Sequence, residues 1–467
     1  MRHHARSAAP ALPFAPALLL AGAAPALALT AHVERVAHFV DKRTTFGSTA
    51  LVPQNNASDP VFLTTSWVYN PEEIVAYQGG APLWRLDTSS AGRQMWIVSG
   101  GAFAATAPGN LNALAYWIEK DNGPLGNCSL SVFDASRSPF AAGNGWRTVL
   151  LADVCAIVNL ALSTYTYADI SRDGLLVAAM TVSDGLNVTV HAFDGQTGKL
   201  RWTRSVSPPG PDHDYFTFSG LRVSADGEFV AWEFGDVSAV GGVKQYIVGG
   251  VDGKDRAEPV RSDGGLEPPI SEDGGYSVVT VGVASGGSRA RVVRWNASSA
   301  TYEPAGADID GPALAGIVWD LAAASSSFDP VSDRSFVTLA WSSAGLNAAA
   351  VTMYDVTELT RPVASYKTPV STGDYDSSGV AIACFERLCI AGFYPGSGVS
   401  QPTVVLLDAS APTPVWNSTT EGSVLDVSIA PAKVPETYFV SASGCTTPSI
   451  CTGPGAEAAY WLVRFSA

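Results

Sequence analysis

One unit recurs along this chain, and it limits the possible folds more than any other feature. Between Ala168 and Val206, ADISRDGLLVAAMTVSDGLNVTVHAFDGQTGKLRWTRSV reads as a strand, an S-x-D-G turn, an apolar strand, a polar turn, an alternating strand, a D-G-x-T-G turn and a last strand carrying Trp202. Its opening hairpin returns as LRVSADGEFVAWEF, PPISEDGGYSVVTVGV, FDPVSDRSFVTLAW and SIAPAKVPETYFVSAS. Each places Asp, Gly or Pro in the turn and follows it with a run of Val, Phe, Tyr and Ala, the pattern of a buried strand.

The third strand of the unit gives a second measure of the period, because it tends to end in an apolar run followed by Asp or Asn. WRLD, SVFD, HAFD, GGVD, VRWN, TMYD and LLD end at Asp87, Asp134, Asp194, Asp252, Asn296, Asp355 and Asp408, at spacings of 47, 60, 58, 44, 59 and 53 residues. Four-stranded propeller blades repeat at roughly 40 to 50 residues, and longer turns stretch the period. The expectation is an all-β propeller of seven or eight four-stranded blades. Eight units are counted, and seven remain if Val61–Gly100 is only a partial blade. The final run AAYWLVRFSA has no fourth strand after it, so HVERVAHFV near the N-terminus is expected to supply one and close the ring.

Arg2, His3, His4 and Arg6 precede an apolar stretch from Ala8 to Leu29 that ends in the small residues Ala26 and Ala28, a signal-peptide pattern. Residues 1–28 are therefore read as a signal peptide and 29–467 as one propeller domain. Four prolines break the apolar stretch, which is far shorter without interruption than the roughly 20 residues of a spanning helix. Removing the leader takes two arginines and no acid, which moves the net charge from −15 to −17. So acidic a chain offers no footprint for nucleic acid or anionic lipid.

Six cysteines fall in three local pairs, Cys128 with Cys155, Cys384 with Cys389, and Cys445 with Cys451. In an oxidising compartment they are disulfide candidates, although six cysteines allow fifteen connectivities. No C-x-x-C occurs and no histidine lies near them, which argues against zinc. Sequons at Asn56, Asn127, Asn187, Asn296 and Asn417 are candidate glycosylation sites.

At AFDGQTGKLRWTRSV the unit resembles the repeat of the quinoprotein, or pyrroloquinoline-quinone-like, propeller superfamily, a WD-repeat-like architecture whose blades end A-x-D-x-x-T-G-x-x-x-W. Ala192, Asp194, Thr197, Gly198 and Trp202 fill those positions. The resemblance implies that Asp194 and the Thr197-Gly198 turn shape the last hairpin and that Trp202 docks between blades. VFDASRSPFAAGNGW keeps Trp146 and LLDASAPTPVW keeps Trp416, and both lose the T-G step. Quinone-dependent dehydrogenases use adjacent cysteines over the cofactor, a carboxylate and an amide as calcium ligands, and a catalytic Asp. This sequence has no Cys-Cys pair and no Asp that aligns with such a motif, so no catalytic, cofactor or metal residue is assigned and no cofactor is expected.

Two acidic loops carry weaker signals. DYDSSG, with Asp374, Asp376, Ser378 and Gly379, opens like a calcium loop but has Ile382 and Phe385 at the later ligand positions, so an inter-strand turn is the better reading. PDHDYF offers Asp212, His213 and Asp214 on a loop. No G-x-S-x-G, H-E-x-x-H, P-loop or dinucleotide fingerprint occurs. His191 falls inside the HAFD strand. These readings point to a secreted propeller glycoprotein that binds an extracellular protein, glycan or small molecule, rather than nucleic acid or the membrane interior. The alternative is a quinone-dependent dehydrogenase-like oxidoreductase.

Overall fold

Apart from the first, the strands pair with their neighbours in sequence, as hairpins joined by turns do. The computed structural model describes residues 32–41, 46–54, 59–67, 73–87, 93–100, 111–119, 125–156, 168–182, 187–207, 216–236, 242–256, 260–262, 270–271, 274–283, 286–313, 317–343, 348–368, 380–393, 403–420, 422–446 and 457–466. The signal-peptide region lies outside them. After β1 (His32–Asp41), blade 1 holds β2 (Phe46–Val52), β3 (Val61–Trp67), β4 (Glu73–Gln78) and β5 (Ala81–Asp87). Blade 2 holds β6 (Arg93–Gly100), β7 (Ala113–Glu119), β8 (Leu125–Phe133) and β9 (Trp146–Ala156), and blade 3 holds β10 (Ala168–Ile170), β11 (Leu176–Val182), β12 (Val188–Asp194) and β13 (Leu200–Val206). In blade 4 are β14 (Phe216–Val223), β15 (Phe229–Asp236), β16 (Val243–Gly249) and β17 (Val260–Ser262); in blade 5, β18 (Tyr276–Gly282), β19 (Ser288–Asn296) and β20 (Thr301–Pro304). Blade 6 comprises β21 (Asp320–Asp329), β22 (Arg334–Ser343), β23 (Ala348–Asp355) and β24 (Ala364–Lys367), and blade 7 β25 (Val380–Phe385), β26 (Leu388–Phe393), β27 (Val404–Asp408) and β28 (Trp416–Ser418). Blade 8 is built from β29 (Val424–Pro431), β30 (Thr437–Cys445) and β31 (Ala458–Ser466).

Seven sheets run in simple sequence order, and the eighth has the order β1-β31-β30-β29. The N-terminal strand thus completes the last blade, as the sequence implied. It pairs antiparallel with β31 from His32↔Ser466 to Asp41↔Ala458. Blade 1 is complete, so the fold is an eight-bladed β-propeller. In blade 5 the described residues before β18 join the sheet through a bridge from Ile270 to Ser277.

Two register assignments need correction. Asp87 ends a fourth strand, β5, because Gly79 and Gly80, both at positive φ, turn the chain before it. In blade 4 the third strand stops at Gly249, which leaves Asp252 inside the following turn.

Both faces of each blade are buried, which is why the sequence shows continuous apolar runs more than strict alternation. Side chains still alternate between the two neighbours. In blade 3, Val177, Ala179 and Phe193 pack toward Leu130 and Val132 of blade 2, whereas Leu176, Ala178 and Met180 pack toward Val230 and Trp232 of blade 4. Similar clusters straddle every other junction around the ring, including blade 8 to blade 1, where Phe62 meets Phe439 and Leu462. Apolar burial therefore runs around the ring without a break, and no single blade has a core of its own.

Candidate functional site

The motif that carried the resemblance works as a joint between blades. Asp194 Oδ1 accepts hydrogen bonds from the Thr197 amide at 2.9 Å and the Thr197 hydroxyl at 2.8 Å, and Arg201 bonds Oδ2 at 2.9 Å. Partial burial opposes ionisation of Asp194, but the Arg201 and Thr197 hydrogen bonds outweigh it and hold the carboxyl below its usual range. Gly198 sits at φ +70°, and a Cβ there would lie 2.7 Å from Cδ2 of Trp146. The indole of blade 2 therefore lies flat on the T-G turn of blade 3, and its Nε1 donates to the Gly195 carbonyl at 2.8 Å.

The same joint recurs on either side. Trp202 donates to Gly250 O at 2.8 Å and packs on Gly253, and Trp84 donates to Ala135 O at 2.9 Å. Trp416 packs edge-on against Phe465 of blade 8, with centroids 5.0 Å apart. In blade 4, Gly249 stands where Asp194 stands in blade 3, because its amide bonds Lys254 O just as the Asp194 amide bonds Lys199 O. Asp252 folds back into the room that Gly249 leaves, 2.5 Å from where a Cβ would be, and pairs with Arg256 at 2.9 Å. A carboxylate and an arginine meet in both turns although the aspartate has moved three positions in sequence.

These turns share one end of the ring with the turns that join first to second strands. Gly195 N bonds Leu175 O, Gly250 N bonds Glu228 O and Ala409 N bonds Arg387 O. In blades 3, 4 and 5 the left-handed position of the inner turn is Gly174, Gly227 and Gly274. In blades 6, 7 and 8 it is Asp333, Glu386 and Glu436, at φ of 51 to 55°. Glycine takes that conformation freely, whereas other residues strain to do so.

Blades 3 and 7 lie four apart in a ring of eight and so face each other across its axis. Arg172, in the inner turn of blade 3, places its guanidinium 4.5 Å from the ring centroid of Phe385 in blade 7. Phe385 is buried and its ring lies 6.1 Å from that of Tyr438 in blade 8. The Tyr438 hydroxyl donates to Glu386 Oε2 at 2.9 Å. Burial, reinforced by the charges of Asp329 and Glu436, raises the pKa of Glu386 against the opposing Tyr438 bond and the Arg172 charge. Burial and the Glu386 charge push the Tyr438 phenol well above its ordinary value, so it stays a donor. Arg387 braces the same turn, 3.4 Å from Asp408 and 3.6 Å from Glu436. Side chains from blades 3, 7 and 8 thus meet at this end of the ring and form the candidate site. An aromatic face with a carboxylate in its neighbourhood suits a cation.

Sequence reasoning missed this site. Arg172 was visible only as the variable position of an S-x-D-G turn, Phe385 only as an apolar residue at a calcium-loop position, and Glu386 only as a spacer between two cysteines. Nothing local links residues more than 200 positions apart.

Among the other predicted residues, Cys384 and Cys389 face each other across the β25–β26 hairpin and are joined by a disulfide. Cys128 and Cys445 are also disulfide-bonded. The side chain of Cys155, and Cys451 altogether, lie outside the described residues. Asn417 is exposed on β28, Asn187 is half-buried, and Asn296 Nδ2 donates to Glu303 at 3.0 Å. Asn56, the Asn127 side chain, Asp212, His213, Asp214, Asp374, Asp376 and Ser378 are outside the description. Among the described residues no group of three or more His, Cys, Asp or Glu could hold a metal ion, and no helix is long and apolar enough to cross a membrane. Among the described residues the indoles of Trp84, Trp146 and Trp202 are committed to blade joints, and Cys384 and Cys389 staple a hairpin.

No family model matches the sequence, and no curated protein matches it. Solved structures similar to it include the quinohemoprotein alcohol dehydrogenase from Comamonas testosteroni, at 11% identity over 92% of this chain and 76% of that one, TM-score 0.49. The Dos1 propeller is similar at 13% identity over 92% of this chain and 95% of that one, TM-score 0.49. Sqt1 from Saccharomyces cerevisiae is similar at 10% identity, covering 91% and 98%, TM-score 0.49. No residue role is carried over from them.

Proposed function

We propose that this chain is a secreted propeller glycoprotein that acts as a binding module. The observation that carries the reading is the convergence of Arg172, Phe385, Glu386 and Tyr438 from three blades at one end of a rigid ring. A scaffold closed by continuous apolar burial holds such groups in place at little further cost in entropy, which favours recognition. The signal-peptide pattern, the disulfide-bonded cysteines and the exposed sequon at Asn417 support export through an oxidising compartment.

The test is a screen of the full mature chain, immobilised, against panels of extracellular glycans and secreted proteins. In parallel, the chain is given pyrroloquinoline quinone and calcium and assayed for dye reduction with alcohols and sugars. Saturable binding without turnover is the expected result. Reproducible turnover would replace this reading with that of a quinone-dependent oxidoreductase.

A further inference from the structure

We propose that the axial site formed by Phe385, Glu386 and Tyr438 is a receptor for a guanidinium group, and that Arg172 occupies it as an internal stand-in for the ligand. The inference rests on the binding-module reading and names the ligand class.

Host and guest are independent of one another. On the host side, the Tyr438 hydroxyl fixes Glu386 at 2.9 Å and the Tyr438 ring supports Phe385. None of these contacts uses Arg172. On the guest side, the turn that carries Arg172 is held by Ser171 Oγ on Asp173 at 2.5 Å, by the Leu175 amide on Asp173 at 2.9 Å and by the Leu176 amide on Ser171 Oγ at 2.9 Å. The equivalent turn of blade 4 holds the same bonds through Ser224 and Asp226 with Ala225 in place of the arginine. The fold of the turn therefore does not require a guanidinium.

The chemistry selects the ligand. A flat aromatic face with a carboxylate in its neighbourhood stacks a planar, weakly hydrated cation and favours its charge. A hard metal ion would need several oxygens around it and gains little from a ring face. An ammonium is compact and strongly hydrated, so it pays more to leave water. Because Arg172 is tethered to the same ring, an external guanidinium competes with a partner at high effective concentration.

Titration calorimetry of the full mature chain with methylguanidinium, with methylammonium and with an acetylated Gly-Arg-Gly peptide tests this. Arg172→Ala is expected to tighten methylguanidinium binding at least tenfold over the parent chain, with a much smaller gain for methylammonium, and Glu386→Gln added to Arg172→Ala is expected to abolish the gain. Tighter binding of the peptide than of methylguanidinium would identify an arginine of a partner protein as the natural source, and equal binding a small molecule. Equal affinities in the parent and Arg172→Ala, a gain untouched by Glu386→Gln, or an equal gain for methylammonium would overturn the proposal. Arg172→Gln repeats the test with a longer neutral side chain should Arg172→Ala unfold, and unfolding of both would make Arg172 a strut and overturn it as well. Failure here alongside ligand capture in the extracellular screen removes only this inference, whereas quinone turnover removes the binding-module reading itself.

Discussion

Trp146 in blade 2 gives its indole N–H to the Gly195 carbonyl of blade 3 at 2.8 Å while its ring covers Gly198. The two halves of that contact are separable. Trp146→Phe should cost about 1 kcal/mol for the lost hydrogen bond, and Trp146→Ala about 3 kcal/mol or more for the cavity. Gly198→Ala adds a Cβ 2.7 Å from Trp146 at φ +70°, whereas Gly143→Ala adds one at φ +68° with nothing within 4 Å. Denaturant unfolding of the two alanine variants should show a larger loss for Gly198→Ala, the difference reporting the joint itself. Equal losses would mean that the indole does not rest on the turn.

Burial lowers the pKa of His191 from 6.5 to about 4, and its Nε2 lies 3.1 Å from the Thr181 hydroxyl. The unfolded chain therefore binds a proton between these values that the folded chain refuses. Stability is fully present above about pH 6.5 and falls as the pH drops toward 4, by up to about 3 kcal/mol at 1.36 kcal/mol per pKa unit. Unfolding midpoints measured from pH 7.5 to 4.5 should fall steeply in the parent and less in His191→Gln. Parallel slopes would show that His191 does not carry the effect.

The propeller was legible because blades repeat: turn residues at fixed offsets and apolar runs of strand length are local signals. Closure was legible for a related reason, since β31 lacks a following strand and an uncovered edge is costly. The moved aspartate of blade 4 and the extra glycine turn of blade 1 were not, because Asp252 and Asp87 satisfy the same short pattern as Asp194 from different places in a blade. The axial site was the least legible. It depends on which blades face each other, and that is known only once the number of blades is fixed at eight.

Export predicts a mature chain that begins near Leu29, lacks free thiols and carries glycan. Asn417 is the most open of the described sequons, while Asn296 already donates to Glu303. Intact mass before and after glycosidase, with a thiol count, checks all three features. A full-length, unglycosylated chain with six free thiols would contradict export.

Ring closure underlies the whole account, because Arg172 meets Phe385 only if eight blades form one ring. β1 covers the edge of β31 with pairs running from Val33↔Phe465 to Val40↔Ala459, and Val33 and Val40 pack on the core shared by blades 7 and 8. Deleting residues 30–41 from the mature chain uncovers that edge and strips the core. Thermal unfolding of this deletion beside the parent is the most direct measurement: closure by the N-terminal strand predicts a single transition at a clearly lower midpoint, and an unchanged midpoint would contradict it.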